Sequence, residues 1–101
     1  MEDFDKAIEI NPRDAGVYGN RGVVRQQDGD RRVAVGAYEQ AIKLDPQLAQ
    51  AYANRGIVLM ELGRYDEAIK DMEKAIWLDE SLKAQLSRHI AEMKKGRAPR
   101  R

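Results

Sequence analysis

The sequence predicts an all-α fold, an α-α superhelix built from stacked antiparallel helix pairs. Residues 15–48 and 49–82 align with each other without gaps, at a period of 34 residues. Within each window apolar residues recur at helical spacing, and turns that contain glycine or proline separate the apolar stretches. A fixed period of this length is typical of arrays in which each unit stacks on its neighbours.

The two windows are identical at 14 positions, far more than chance provides, and a third partial copy precedes them. In that partial copy Phe4, Ala7 and Ile8 align with Tyr38, Ala41 and Ile42. The identities, by their numbers in the first window, are Ala15, Tyr18, Asn20, Arg21, Gly22, Val24, Gly29, Ala34, Glu39, Ala41, Ile42, Leu44, Asp45 and Leu48.

The composition fits one small domain without a disulfide, a thiolate metal site or a membrane span. The 101 residues have a net charge of +1, and the absence of cysteine excludes disulfides and thiolate metal sites. The longest apolar run, residues 56–60, is far shorter than the ~20 residues that span a bilayer. The first residues are acidic, so no secretory signal is visible and the cytoplasm is the expected location.

The first helix is predicted over residues 1–10, with Phe4, Ala7 and Ile8 on one stripe. Asn11 and Pro12 end it, because asparagine caps a following helix and proline suits that helix's first turn. A second helix follows over residues 14–27. Gly29 then supplies the left-handed backbone that closes a helix.

The same cycle predicts helices over residues 31–44, 47–62 and 65–78, with Gly63 in the second turn. Asp45 and Pro46 repeat the combination of cap and proline. A last helix over residues 81–95 carries Leu82, Leu86, Ile90 and Met93 on one face and is expected to stop at Gly96.

Small residues at matched positions predict where the helices of each pair cross. Gly22 faces Ala34 in the first pair, and Gly56 faces Ala68 in the second. A missing or minimal side chain lets two backbones approach closely, so a larger residue at Gly56 is expected to overpack the contact.

Units of 34 residues with this spacing resemble the tetratricopeptide repeat. Departures at Arg25 and Arg31, where the family usually has bulky aromatic residues, predict looser packing of the first full copy. Glu80 in place of proline and Ile90 in place of a small residue indicate a terminal capping helix. The residues that carry the resemblance are Tyr18, Gly22, Ala34, Tyr38, Ala41 and Pro46, then Tyr52, Gly56, Leu59, Gly63, Tyr65, Ala68, Met72 and Ala75.

The resemblance implies a single domain over residues 1–95. It divides into the second helix of a partial repeat (1–14), two repeats (15–48 and 49–82) and a capping helix (83–95), followed by a basic tail (96–101).

The resemblance further implies a non-catalytic scaffold that binds a peptide or partner protein in a concave groove lined by the first helix of each pair. An alternative role for Asn20 and Asn54 is to bond neighbouring helices and hold the stack together. The expected groove residues are Asn20, Val23, Gln27, Asn54, Ile57, Met60 and Arg88.

The resemblance also offers a more specific comparison. In the chaperone co-factors of this family, the groove clamps a terminal carboxylate with two lysines, two asparagines and an arginine. Asn54 and Arg88 match that clamp, whereas Gly19, Val23 and Ala84 replace a lysine, an asparagine and a lysine. Two matches in five do not support the same ligand.

The N-terminal edge is expected to self-associate, giving a homodimer. Phe4, Ala7 and Ile8 lack the first helix of their own pair, and leaving Phe4 and Ile8 exposed forfeits about 1.5–3 kcal/mol each. The alternative is that the sequence is cut from a longer protein. Trp77 stands where Lys43 stands one repeat earlier, and it is expected to lie partly covered by Leu82 and Leu86 of the capping helix; a role at an interface is the alternative.

No motif for catalysis, a cofactor or a metal is found. The two serines lie outside nucleophile motifs, His89 is the only histidine, and Asp28 and Asp30 lack the later ligands of a calcium loop. Five basic residues near the C-terminus leave −4 on the rest of the chain. They allow an alternative role, that of an adaptor that contacts nucleic acid or an anionic membrane. This signal is weak, because no aromatic residues accompany the basic ones. A pure oligomerisation module is the other alternative.

Overall fold

The computed structural model describes residues 14–97, and these residues form five α-helices and no strand. The all-α prediction is confirmed. The N-terminal positions Phe4, Ala7 and Ile8 lie outside the described residues. The helices are α1 (Ala15–Gln27), α2 (Arg31–Leu44), α3 (Ala49–Glu61), α4 (Tyr65–Leu78) and α5 (Lys83–Arg97), with a 3-10 turn at Glu80–Leu82 before α5.

The turns inside the two helix pairs have the same geometry, 34 residues apart. Gly29 has a φ of 86° and Gly63 a φ of 80°, in the left-handed region that the sequence predicted for Gly29. The next amide closes each turn: Asp30 N donates to the carbonyl of Arg25 at 2.9 Å, and Arg64 N donates to that of Leu59 at 2.9 Å. The repeat therefore extends to the backbone conformation of the turn.

Two helix starts differ from the prediction. Asp14 caps α1 itself, because its Oδ1 accepts from Gly16 N at 2.9 Å. Asp45 does not cap α3: its carboxylate accepts from Gln47 N at 3.1 Å, and the helix begins at Ala49. Asp45 instead organises the turn that leaves α2, a local bond typical of aspartate before a proline.

Both glycines lie where the paired helices pack tightly; Gly56 meets Ala68 as predicted, whereas the atoms nearest to Gly22 belong to Tyr38. A Cβ on Gly22 would lie 2.5 Å from Cε1 of Tyr38, and a Cβ on Gly56 would lie 2.8 Å from Cγ of Met72. Ala68 is fully buried beside Gly56, with its carbonyl oxygen 3.2 Å from the same Cβ position. Each pair is therefore locked by a backbone that carries no side chain at the crossing.

The buried side chains form two clusters. The larger one, here called the C-terminal core, comprises Ala53, Leu59, Ala68, Ile69, Met72, Ala75, Leu86 and Met93. The smaller one, the N-terminal core, comprises Ala34, Tyr38 and Val58. Val58 belongs to α3 but packs against the first pair, so the two repeats share a core.

The first repeat contains polar side chains where the second contains apolar ones. Leu59 is buried, and its counterpart Arg25 is only half-buried. The counterpart of Tyr65, Arg31, is exposed and forms an ion pair instead, Nε to Oε1 of Glu61 at 3.1 Å. This agrees with the looser packing expected for the first copy.

The helix α5 closes the C-terminal side of the array and runs two residues beyond the predicted end. Leu86 and Met93 are buried against the C-terminal core, in agreement with the apolar face predicted for this helix. Gly96 does not stop it: glycine weakens a helix by about 1 kcal/mol without a steric clash.

Trp77 is not covered by the capping helix. Its relative exposure is 75%, and its ring is contacted by the Nζ of Lys74 at 4.5 Å from the centroid. Trp77 lies near the C-terminal end of α4, and the expected shielding by Leu82 and Leu86 is wrong because both pack toward the C-terminal core. Among residues 14–97 no helix is both long and apolar enough to cross a bilayer.

Candidate functional site

A cavity of about 350 Å³ lies between the first helices of the two pairs. We call it the inner groove. It brings together three of the residues that the sequence predicted for a groove, Val23, Gln27 and Asn54. Its remaining lining residues are Gln26, Arg31 and Glu61.

Helical spacing explains why these side chains meet. Val23 and Gln27 are one turn apart on α1, and Asn54 and Glu61 are two turns apart on α3. The equivalent helices of successive repeats face each other, so these two stripes form opposite walls. The inner groove therefore spans both repeats.

The amides in the groove are oriented by hydrogen bonds. Gln50 Nε2 donates to Asn54 Oδ1 at 3.0 Å, one turn earlier on the same helix. On the other wall the Tyr38 hydroxyl donates to Oε1 of Gln26 at 2.9 Å. Both bonds take up an amide oxygen and leave the amide N–H groups of Asn54 and Gln26 as the donors available to a ligand.

Tyr38 supports this wall from the N-terminal core, where it is fully buried. Burial raises the pKa of its hydroxyl to about 12, since a phenolate would lose its hydration there. The hydroxyl therefore stays a donor to Gln26 throughout the physiological range.

An ion pair that the sequence analysis missed lies at one side of the groove. Arg31 at the start of α2 reaches Glu61 at the end of α3, with side chains 47% and 37% exposed. The only sequence signal was the departure at Arg31 from an aromatic position. Its Glu61 partner is 30 residues away, which helical periodicity does not reveal.

The other predicted groove residues lie elsewhere. Ile57 and Met60 are partly buried and pack against the C-terminal core. Asn20 is exposed on α1, and Arg88 is exposed on α5, and neither lines the inner groove. The predicted site is thus only partly gathered into one cavity.

A second cavity, of about 410 Å³, opens on a different side of α3 and was not predicted. We call it the outer groove. Arg55 and Leu59 form its floor, about 100° to 140° around the helix axis from Asn54. Its other lining residues are Val35 and Glu39 from α2, and Arg64, Glu67, Lys70, Asp71 and Lys74 from the turn before α4 and from α4 itself.

Two bidentate ion pairs organise the outer groove. Arg55 donates through Nε and Nη2 to both carboxylate oxygens of Asp71, at 2.6 and 2.8 Å, and the side chains are only 20% and 10% exposed. Arg64 forms the same geometry with Glu67 at 2.7 Å, but at the surface. These hydrogen bonds raise the pKa of both guanidinium groups.

The part of the chain that the structure describes contains no group of three or more potential metal-ligating side chains. His89 is partly buried on α5. The geometry available to a ligand therefore consists of amides, ion pairs and apolar contacts.

The profile of the tetratricopeptide repeat matches residues 20–85, which is most of the chain. A comparison with curated protein sequences finds no match.

Solved structures with the same architecture include three repeat proteins. The first repeat domain of Spaghetti (RPAP3) bound to the HSP90 peptide SRMEEVD superposes with a TM-score of 0.90 at 21% identity, covering 95% of this chain and 75% of that one. MamA gives a TM-score of 0.73 at 33% identity, over 81% of this chain and 47% of its own. YrrB, described as having an unusual peptide-binding site, gives 0.73 at 34% identity, over 75% and 39%.

Proposed function

The chain belongs to the tetratricopeptide repeat family, a family of protein-interaction scaffolds, and we propose that its inner groove binds an extended peptide segment of a partner protein. The role is non-catalytic: the groove contributes binding and orientation, and no reaction. The observation that carries the proposal is that Gln27 of the first repeat and Asn54 of the second line the same cavity.

The chemistry of the inner groove suits a polypeptide backbone. The amide of Asn54, held by Gln50, offers N–H donors to peptide carbonyls, and Gln27 is free to donate or accept. Val23 adds an apolar contact between them. A ligand in this position contacts α1 and α3 at once.

The ligand is expected to differ from the acidic peptide seen with Spaghetti. That structure is similar at 21% identity, a level that carries the fold alone. The chaperone co-factors of this family clamp a carboxylate with lysine and asparagine side chains. At three of those positions this sequence has Gly19, Val23 and Ala84 instead. We propose that recognition here relies on amides and apolar contact.

The test is a quantitative pull-down with the wild-type chain and Gln27→Ala/Asn54→Ala. Loss of hydrogen bonds worth about 1.4 kcal/mol lowers affinity about tenfold, so recovery of a groove-bound partner should fall accordingly. Lys43→Ala, an exposed change on α2, is the matched control and should retain the partner. Arg88→Ala reports whether α5 contributes to the same site. Equal recovery by all variants would exclude the inner groove as the docking site.

Self-association is a second candidate function, favoured by an exposed apolar side chain on the first repeat. Val33 is 48% exposed on α2, beside Gly36 and Ala37 in a cavity of about 300 Å³. We propose that this surface, with the predicted edge residues Phe4, Ala7 and Ile8, contacts a second copy. Light scattering should give a dimer mass for the wild type and a monomer mass for Phe4→Asp. A concentration-independent monomer for both would contradict it.

A further inference from the structure

The outer groove has the features of a binding site on a different side of α3 from the inner groove. Its floor is apolar at Leu59 and closed by the Arg55–Asp71 pair, whose four hydrogen-bonding atoms are mutually satisfied. Because that pair is rigid and only slightly exposed, it shapes the groove and does not itself attract a ligand.

The charge left in the groove is positive on one wall. Glu67 is occupied by Arg64, and Asp71 by Arg55. Within residues 14–97 no carboxylate pairs with Lys70 or Lys74, which follow each other at one helical turn on α4.

An aromatic side chain extends this wall. Trp77 is 75% exposed, and the ammonium of Lys74 lies 4.5 Å from its ring centroid, a contact that favours a ring position beside the lysine. Exposed tryptophans that are held in place are typical anchors of protein interfaces. Lys70, Lys74 and Trp77 thus form one stripe along α4.

The charged groove is specific to the second repeat. One period earlier the equivalent cavity has Val33 for Glu67, Gly36 for Lys70, Ala37 for Asp71 and Gln40 for Lys74. That cavity keeps Arg21, the counterpart of Arg55, but is uncharged at the other four positions, so the packing of the repeat does not require the charges at Glu67, Lys70, Asp71 and Lys74.

We propose that the outer groove, extended by Trp77, binds an acidic peptide segment of a second partner protein. Acidic side chains of that segment contact Lys70 and Lys74, and an apolar side chain packs on Trp77. Glu39, on the α2 wall, accepts peptide N–H groups. A nucleic-acid backbone fits less well, because its sugar-phosphate chain has no N–H group to donate to Glu39.

The outer groove is a second site, separate from the peptide site proposed for the inner groove. With both sites occupied, one short array holds two partner proteins together. Each site occupies its own side of α3, so both are accessible at the same time. The two proposals can therefore fail independently.

The test uses a fluorescein-labelled hexaglutamate peptide, with hexaglutamine as the neutral probe. Anisotropy should show saturable, salt-sensitive binding of hexaglutamate only. Trp77 is the single tryptophan of the chain, so its emission should change over the same concentration range. Lys70→Gln/Lys74→Gln should weaken binding about tenfold, as expected for two exposed ion pairs. Gln27→Ala/Asn54→Ala should bind like the wild type.

Three results would overturn the proposal. The first is equal affinity of wild type and Lys70→Gln/Lys74→Gln. The second is loss of binding in Gln27→Ala/Asn54→Ala, which would assign the acidic peptide to the inner groove. The third is tighter binding of a thymidine oligonucleotide than of hexaglutamate, sensitive to the same lysines. Lys70 is exposed and Lys74 partly exposed on α4, and circular dichroism checks that each variant folds.

Discussion

Replacing Gly56 by alanine should destabilise the fold, although alanine is the better helix former. Alanine in place of glycine contributes about 1 kcal/mol in a helix interior. Here its Cβ would lie 2.8 Å from Met72 Cγ, 3.2 Å from the carbonyl oxygen of Ala68 and 3.4 Å from Asp71 Cβ. The methionine has freedom to move, but the backbone oxygen moves only if α3 and α4 separate. Overpacking of this kind costs about 1–3 kcal/mol.

Gly19→Ala is the matched control. Gly19 lies within α1, and a Cβ built on it meets no atom within 4 Å. Both substitutions gain the same helix propensity, so the difference between the two unfolding free energies isolates the contact at Gly56. That difference should be about 1–3 kcal/mol, with Gly19→Ala more stable than the wild type.

Urea denaturation followed by far-ultraviolet circular dichroism measures both variants. For a domain of this size, 1 kcal/mol corresponds to about 4–8 °C in Tm, so a thermal melt gives a second estimate. If Gly56→Ala were as stable as Gly19→Ala, close approach of α3 and α4 at Gly56 would be refuted.

Other predictions concern buried polar groups. Burial raises the pKa of Tyr38 from 10 in the unfolded chain to about 12 in the folded one. The contribution of the protonated hydroxyl to stability is therefore fully present below pH ~10 and is lost as pH rises through ~12. In urea titrations across that interval, the unfolding free energy of the wild type should fall by about 2–3 kcal/mol more than that of Tyr38→Phe. Asp71→Ala leaves Arg55 partly buried without its carboxylate and should cost about 2–4 kcal/mol, whereas Glu67→Ala, which breaks the same geometry with Arg64 at the surface, should cost less than about 1 kcal/mol. Equal losses in the last two variants would contradict the argument from burial.

The architecture was predictable because the residues that it requires occur at matched positions in both repeats. Gly29 and Gly63, and likewise Gly22 and Gly56, mark the same turn and the same crossing in both copies. Helix periodicity then located α2 and α4 to the residue. The start of α3 was less predictable, since Asp45 bonds to its own turn and not to the helix that follows.

The candidate site was less predictable than the fold, because its key contacts join residues from different repeats. Val23 and Asn54 were expected from the resemblance to the tetratricopeptide repeat, and both line the inner groove. The pairing of Arg31 with Glu61 depends on how the helices stack, and no spacing along the chain encodes it. Trp77 was misjudged for a similar reason: exposure at a helix end depends on where the capping helix turns, which Glu80–Leu82 determines.

The unequal cores imply that the first pair opens locally at a lower free energy than the second. In a linear array each unit is held mainly by its immediate neighbours, and within residues 14–97 the cluster around Met72 is much larger than the one around Tyr38. Amide protons of α1 should therefore exchange with solvent earlier than those of α4. A guest lodged between α1 and α3 ties the weaker pair to the stronger, so recognition and local ordering are thermodynamically linked in this molecule.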